Sequence, residues 1–377
     1  MEIGRPKRAG SPRAGVSAGF EALVLQLFAL QYKHNAPYRR LCDARGTRPG
    51  TVARWSDIPA APTSAFKEFD LSYLPAEERT TVFHSSGTTG QKPSRHYHNA
   101  ASLAVYEVAL LKWFDAHFQW PMANGQAGKT EPKLGCGLAI GHLRLAILTP
   151  PPAQAPHSSL VHMFETIRRE LEGDGLAFVG KAAHDDAWTL NAEAALARLQ
   201  AASGSGHPLL VLGTAFSFVH LLDYLAEQDL RFELPPGSCA LETGGYKGRS
   251  RRLPKAVLHA LISERLGILP DHIICEYGMS ELSSQAYDSV VSPSRFTLHA
   301  SRLFRFPPWA RVQIISPETG CEVAEGETGL IRVFDLANVY SVMAIQTEDL
   351  GIRRGNGFAL AGRSALAEPR GCSLLAI

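Results

Sequence analysis

Two rhythms of apolar and polar positions run through this chain, and each predicts its own kind of element. Over residues 20–31, Leu23, Leu25, Leu27, Phe28 and Leu30 crowd one helix that runs toward Asn35-Ala36-Pro37-Tyr38, where the proline is expected to end it. Residues 59–70 read as a proline-punctuated loop, and 99–114 as a helix with Asn99 as its N-cap. Short apolar runs then alternate with helical ones. Strands are expected over 134–140 and 143–148, a break at Pro150-Pro151-Pro152, and a helix over 160–171 capped by Ser158 or Ser159. Next come a short helix over 192–199, a linker at Ser203-Gly204-Ser205-Gly206, a buried strand over 209–212 and a helix over 216–225. A strand over 239–241 ends at Gly244-Gly245, and a helix over 257–266 leads to a strand over 272–276. Strands separated by helices imply an α/β fold with a helix-covered parallel sheet. Beyond Pro307 the character changes: 312–315 and 330–334, joined by a Glu/Gly-rich turn, predict a small β-rich closing subdomain.

Composition narrows the field without choosing within it. The chain has 377 residues, enough for a large core, with 45% hydrophobic and 20% charged residues. Its 38 basic and 36 acidic residues leave a formal charge of +2, so no strong field argues for nucleic acid or a membrane surface. Cys42, Cys136, Cys239, Cys275, Cys321 and Cys372 are scattered without a C-x-x-C pair, which suits reduced thiols in the cytoplasm. Residues 1–16 are basic but lack the apolar core of a signal peptide, so 1–18 are expected to be a disordered tail.

The first candidate chemistry lies at His84-Ser85-Ser86-Gly87-Thr88-Thr89-Gly90-Gln91-Lys92-Pro93. Four hydroxyls and two glycines stand within six residues, with a lysine two places on. Such a segment favours loop conformations and offers backbone N–H groups, hydroxyls and one cation to phosphate oxygens. It lacks the order of a Walker A loop. Two other short strings carry little: Ser64-Ala65-Phe66-Lys67 has the S-x-x-K form without its usual partners, and His96-Tyr97-His98 reads as a solvated loop, having no third metal ligand at a sensible spacing.

The string Ser85 to Pro93 resembles the phosphate-loop signature of the acyl-adenylating superfamily of acyl-CoA synthetases and adenylation domains. The resemblance implies that Ser85, Ser86, Gly87, Thr88, Thr89, Gly90 and Lys92 hold the phosphates of ATP. Tyr277-Gly278-Met279-Ser280-Glu281 is similar to the second signature, with serine in place of threonine. It implies that Tyr277 stacks on adenine, Gly278 is among the cofactor-binding residues, Ser280 approaches the α-phosphate and Glu281 binds Mg2+, a carboxylate with phosphates being a usual Mg2+ site. Gly244-Gly245 resembles the glycine pair beside the adenine. Asp349, in Thr347-Glu348-Asp349, keeps the aspartate that bonds ribose, and Gly362-Arg363 resembles the hinge before a small C-terminal domain. Both Gly244-Gly245 and Tyr277 to Glu281 fall at carboxyl ends of expected strands, where parallel sheets hold ligands.

The departure from the superfamily comes at the end. Only 14 residues follow Arg363, so the usual small C-terminal domain is expected to be missing, and the last lysine of the chain is Lys255. The charge normally supplied by a C-terminal lysine would fall to Lys92, Lys247 or Arg363, or adenylation would be impaired. The expected division is a large domain over 19–361, its β-rich part over 307–361, and a hinge remnant with a mobile tail over 362–377. That tail carries Arg370-Gly371-Cys372, and positive charge beside a thiol favours the thiolate.

A truncated adenylating chain with a near-terminal cysteine resembles the acyl-protein synthetase family of the bioluminescence fatty-acid reductase complex; Asn35-Ala36-Pro37-Tyr38, Phe66-Lys67 and Ser158-Ser159-Leu160 extend the likeness from about residue 20 to the end. The resemblance implies an ATP- and Mg2+-dependent ligase that activates a fatty or aryl acid and moves the acyl group to Cys372. From there it passes to a reductase, an acyl carrier protein or CoA, with no nucleic-acid or membrane partner. Lys92 and Glu281 would assist the first step. Thr214, Phe216, Phe218 and His220, with His142, are the residues expected to line the acyl pocket. Two alternatives stand beside this reading: an acyltransferase fed by acyl-CoA, and a nucleotide-binding protein without turnover.

Overall fold

The structure, a computed structural model, describes residues 14–85, 92–118, 143–171, 177–183, 188–244, 251–288 and 302–364. Its centre is a sheet of β4 (Arg144–Ile147), β7 (Leu209–Thr214), β8 (Cys239–Thr243) and β9 (Ile273–Tyr277), all parallel, with β10 (Ala286–Tyr287) antiparallel at one edge. Every residue of β7, β8 and β9 is buried, as apolar runs covered on both faces require. The helices α6 (Ala192–Ser205), α7 (Ala215–Glu227) and α8 (Lys255–Leu266) cover one face, where Phe218, Leu222 and Ile262 meet Val211 and Ala240. On the other face, α4 (Ala100–His117) and α5 (Ser159–Glu170) bring Leu110, Phe114 and Phe164 onto Leu212, Leu241 and Ile274. Asn99 caps α4 through a reciprocal box with Ser102, and Ser158 caps α5.

A second sheet closes the molecule. It runs β1 (Ala61–Pro62), β13 (Ala344–Arg354), β12 (Thr328–Asp335), β11 (Ala310–Ile315), with β14 (Gly357–Arg363) also on β13, and all its pairs but β1–β13 are antiparallel. The expected hairpin of 312–315 and 330–334 is its β11–β12 pair. The sheet is not built from late residues alone, because α1 (Ala14–His34) and α2 (Ala36–Ala44) pack Phe28 and Tyr38 into the same core as Ile331, Phe334 and Ile345. Gln31 fastens the join, its Nε2 donating to Asn338 O at 2.7 Å and its Oε1 accepting from Met343 N at 3.0 Å.

Several expectations change. Pro37 follows the end of α1 but sits in the first turn of α2, a position where a missing N–H costs nothing, while Asn35 caps that helix. The expected loop over 59–70 contains β1 and the short helix α3 (Ala65–Glu68). The expected linker at 203–206 is the last turn of α6, with Gly206 at φ 70° as its left-handed C-cap. The expected strand over 134–140 lies outside the described residues. Among the described residues, no helix is long and apolar enough to cross a membrane.

The two sheets are tied by a buried carboxylate at the end of β12. Asp335 Oδ2 accepts from Ser283 N at 3.0 Å, while Oδ1 accepts from Ser284 Oγ at 2.8 Å and Ala337 N at 3.0 Å. Asp335→Ala would strand three buried donors, and its expected cost is about 3 kcal/mol of unfolding free energy in urea titration. A loss under about 1 kcal/mol would refute this role for the carboxylate.

Candidate active site

The residues on either side of the expected phosphate loop form a hairpin of β2 (Thr81–His84) and β3 (Arg95–His98), paired antiparallel from Thr81↔His98 to His84↔Arg95. Ser86, Gly87, Thr88, Thr89 and Gly90 lie outside the described residues. At the base of the loop, Ser94 N donates to Ser85 Oγ at 2.9 Å and Ser85 N donates to Ser94 O at 3.3 Å. Lys92 is half-exposed and its Nζ lies 3.3 Å from Glu68 Oε2 on α3. An exposed pair of this kind holds a lysine weakly.

Residues 96–98, expected as a solvated loop, are strand β3, with His96 and His98 among the most buried polar side chains. Strand alternation explains the difference: Tyr97 faces Asp70 and Arg79, while the histidines turn inward onto Phe66, Phe83 and Tyr106. His96 Nδ1 meets Ser280 O at 2.8 Å, and since a carbonyl only accepts, this imidazole carries its proton on Nδ1. Ser94 Oγ stands 3.4 Å from Ser280 Oγ. Thus β3 grips the Tyr277–Glu281 segment at its fourth residue and sets the β2–β3 hairpin against it.

That segment leaves the carboxyl end of β9. Glu281 is buried, its Oε2 accepts from Ser280 Oγ at 3.0 Å, and its backbone carbonyl accepts from Asn338 Nδ2 at 2.8 Å. Tyr277 lies with its ring edge-on to Phe304, Phe306 and Phe358, and its hydroxyl donates to Asp349 Oδ2 at 2.9 Å. Asp349 faces Arg363 across β13 and β14, with Arg363 Nε 3.2 Å from its Oδ1. Arg363 also pairs with Glu348 at 2.6 Å, and Asp349 N donates to Thr347 Oγ1 at 3.1 Å. Residues 72 and 14 positions apart in the chain therefore form one row: Tyr277, Asp349, Arg363. Gly362 has φ 115°, a conformation that glycine permits, immediately before that arginine. Gly244 directly follows β8; Gly245, Lys247 and Cys372 lie outside the described residues, as does His142.

The expected acyl-pocket residues separate. Thr214 caps α7 in a reciprocal box with Ser217, Phe216 is buried, and Phe218 is fully inside the core between α7 and the sheet. His220 is exposed, with its ring 4.5 Å from that of Phe216. Polar side chains that the sequence pattern did not mark lie instead on the α4 face: Thr243 Oγ1 donates to the buried Glu276 Oε2 at 2.5 Å. Burial pushes the Glu276 carboxyl up to about 7, with the Glu242 charge adding to the rise and the Thr243 bond opposing it. Its signal in the sequence was only its place directly before Tyr277. Lys255, the last lysine, pairs with the buried Asp288 at 2.6 Å.

The model of the family described as "Acyl-protein synthetase, LuxE" matches residues 182–376 of this chain. The long-chain-fatty-acid–luciferin-component ligase of Vibrio harveyi is 23% identical over 368 residues, covering 93% of this chain and 85% of the relative. The ligase of the same name from Aliivibrio fischeri is 23% identical over 341 residues, covering 88% and 78%. Among solved structures, 2-hydroxyisobutyryl-CoA ligase in complex with 2-HIB-AMP and CoA superposes with a TM-score of 0.63 at 16% identity, over 92% of this chain. This chain spans 65% of that ligase, and the likeness is one of fold.

Proposed function

The chain belongs to the acyl-protein synthetase family, and on that premise we propose that it activates a carboxylic acid with MgATP and carries the acyl group on Cys372 to a partner protein or carrier thiol. The observation that supports this most is the clasp between β3 and the Tyr277–Glu281 segment, which brings the arm of a hydroxyl-rich loop to a buried carboxylate. Substrate acid oxygen attacks the α-phosphorus of ATP, and the bond to pyrophosphate breaks. The Cys372 thiolate then attacks the acyl carbonyl, and AMP leaves with the bonding electron pair.

Residues 85–92 supply N–H groups, hydroxyls and the Lys92 charge to the β- and γ-phosphates. Ser280 and Glu281 fit a divalent cation, a hydroxyl and a carboxylate being hard oxygen donors. When bound, that cation neutralises phosphate charge. The Tyr277–Asp349–Arg363 row holds adenine and ribose, with the Arg363 guanidinium as the cation of that row. The rest of the catalysis is positioning. The relatives are named for long-chain fatty acids and a luciferin component, which supports an acyl-accepting protein as the partner here.

Intact mass with peptide mapping tests the reading, after incubation with a panel of fatty and aryl acids plus MgATP, and in parallel with acyl-CoA alone. Acylation of the tail cysteine that needs MgATP is the expected result. Label from acyl-CoA alone makes the chain a transferase, and no label from either donor refutes both.

A further inference from the structure

Successive residues of a strand face opposite sides of a sheet, so Glu276 points away from Tyr277 and into the face covered by α4 and α5. Thr243 is its register partner on β8, and Tyr287 its partner on β10. A Cβ on Gly278 would collide with Glu276 Oε1 and stand 3.7 Å from Gln285 Cγ, so glycine there lets these side chains come together under the signature segment. Gln285 Nε2 donates to Tyr106 Oη on α4 at 3.4 Å. Tyr106 in turn packs against Phe83 and His98 of the β2–β3 hairpin. This polar group is therefore enclosed between the carboxyl end of the sheet and the hairpin.

Two of its atoms are left open. Tyr287 Oη and Gln285 Oε1 are both buried with no hydrogen-bond partner, one a donor and the other an acceptor. Interiors that serve folding alone rarely leave such atoms unpaired.

We propose that Tyr287 and Gln285 form the acyl-recognition end of the site and select a carboxylic acid that bears a hydroxyl group, which accepts from Tyr287 Oη and donates to Gln285 Oε1. The inference rests on the acid-activating reading above, and departs from the plain long-chain acids for which the relatives are named. A hydroxyl matches one donor and one acceptor at once, which an alkyl chain cannot do. An unsubstituted chain would bury both oxygens unpaired, the basis on which hydroxyl-reading sites reject deoxy analogues. Glu276 supports a neutral group over a second carboxylate, since its own carboxyl is already hard to ionise there.

Acid-dependent ATP–pyrophosphate exchange by the full chain decides the matter, with matched pairs of acids: 4-hydroxybenzoate against benzoate, and ω-hydroxydecanoate against decanoate. One member of each pair lacks only the hydroxyl, and the two pairs distinguish an aryl from an alkyl frame. The wild type is expected to favour the hydroxy acid of one pair by on the order of 10²-fold in kcat/KM. Tyr287→Phe, which keeps the ring, should reduce that preference at least tenfold without raising the KM for ATP, and Gln285→Met should do the same; melting curves establish that both fold. Equal use of hydroxy and plain acids by the wild type overturns the inference while leaving acid activation standing. So does a preference that survives both substitutions. No exchange with any acid overturns the acid-activating reading, and this inference with it.

Discussion

Replacing Cys372 with serine is expected to leave acid-dependent pyrophosphate exchange at the wild-type rate and reduce stable acyl-protein to background. The two half-reactions use different groups. On the proposed reading, activation falls to the loop at 85–92, the Ser280–Glu281 pair and the Tyr277–Asp349–Arg363 row, and transfer falls to Cys372. Transfer needs a nucleophile, and a serine hydroxyl without a base is a weak one, whereas a thiol is intrinsically nucleophilic and positive charge such as that of Arg370 nearby in sequence favours its thiolate. Three of the other cysteines offer no ready substitute: Cys42, Cys239 and Cys275 are buried, and burial pushes all three thiols up, Cys42 to about 11. Cys321 is exposed and serves as the control, since Cys321→Ser should change neither half-reaction. Exchange assays and hydroxylamine-sensitive mass label measure the two steps separately. Loss of exchange together with label in Cys372→Ser would sink this division of labour.

The second large effect is on acid stability. Burial depresses His96, His98, His117 and His162, and His98 is held down at about 2, with the neighbouring His96 and His162 adding to the fall. The rings of His96 and His98 are 4.3 Å apart, so their two charged forms also repel. A group whose folded pKa lies below its unfolded one stabilises the fold above the unfolded value, and that contribution is lost as pH falls. For His98, between 6.5 and about 2, it reaches on the order of 6 kcal/mol. Glu276 and Asp335 act in the opposite sense, because their folded pKa values are raised. Glu276, between 4.5 and about 7, recovers about 3 kcal/mol at most as pH falls. Four histidines outweigh two carboxyls. The melting temperature should therefore fall steeply below pH 6.5, and His98→Gln should flatten that acid limb even if its stability at pH 8 is lower. Parallel limbs in the two proteins would show that His98 does not titrate on unfolding.

Much of the scaffold was legible because it rests on local patterns. The run Leu209-Leu210-Val211-Leu212 is long enough and apolar enough to be a strand buried on both faces, and Asn99 and Ser158 announce their helices by the side-chain caps they form. The two signature strings kept their order, and the row of Thr347 to Asp349 with Gly362-Arg363 was visible as short motifs. What stayed hidden depends on partners distant in sequence. Strand β1 is two residues long and exists because Gln346 and Ile345 of β13 lie beside it. The Ser-Gly-Ser-Gly tract looked like a linker, but packing of Ala202 and Leu199 against the sheet carries α6 through to its glycine cap.

By itself, then, the sequence determined the α/β order of elements, the loop at 85–92, the segment from Tyr277 to Glu281 and the chain's resemblance to acyl-protein synthetases, since each is written in neighbouring residues. Only the tertiary structure decided that His96 holds Ser280, that Tyr277 reaches Asp349, and that Glu276, Gln285 and Tyr287 share one buried space. His96 and Ser280 are 184 positions apart, Tyr277 and Asp349 are 72 apart, and Glu276 and Tyr287 meet across strands, where register, not local propensity, sets which side chains meet.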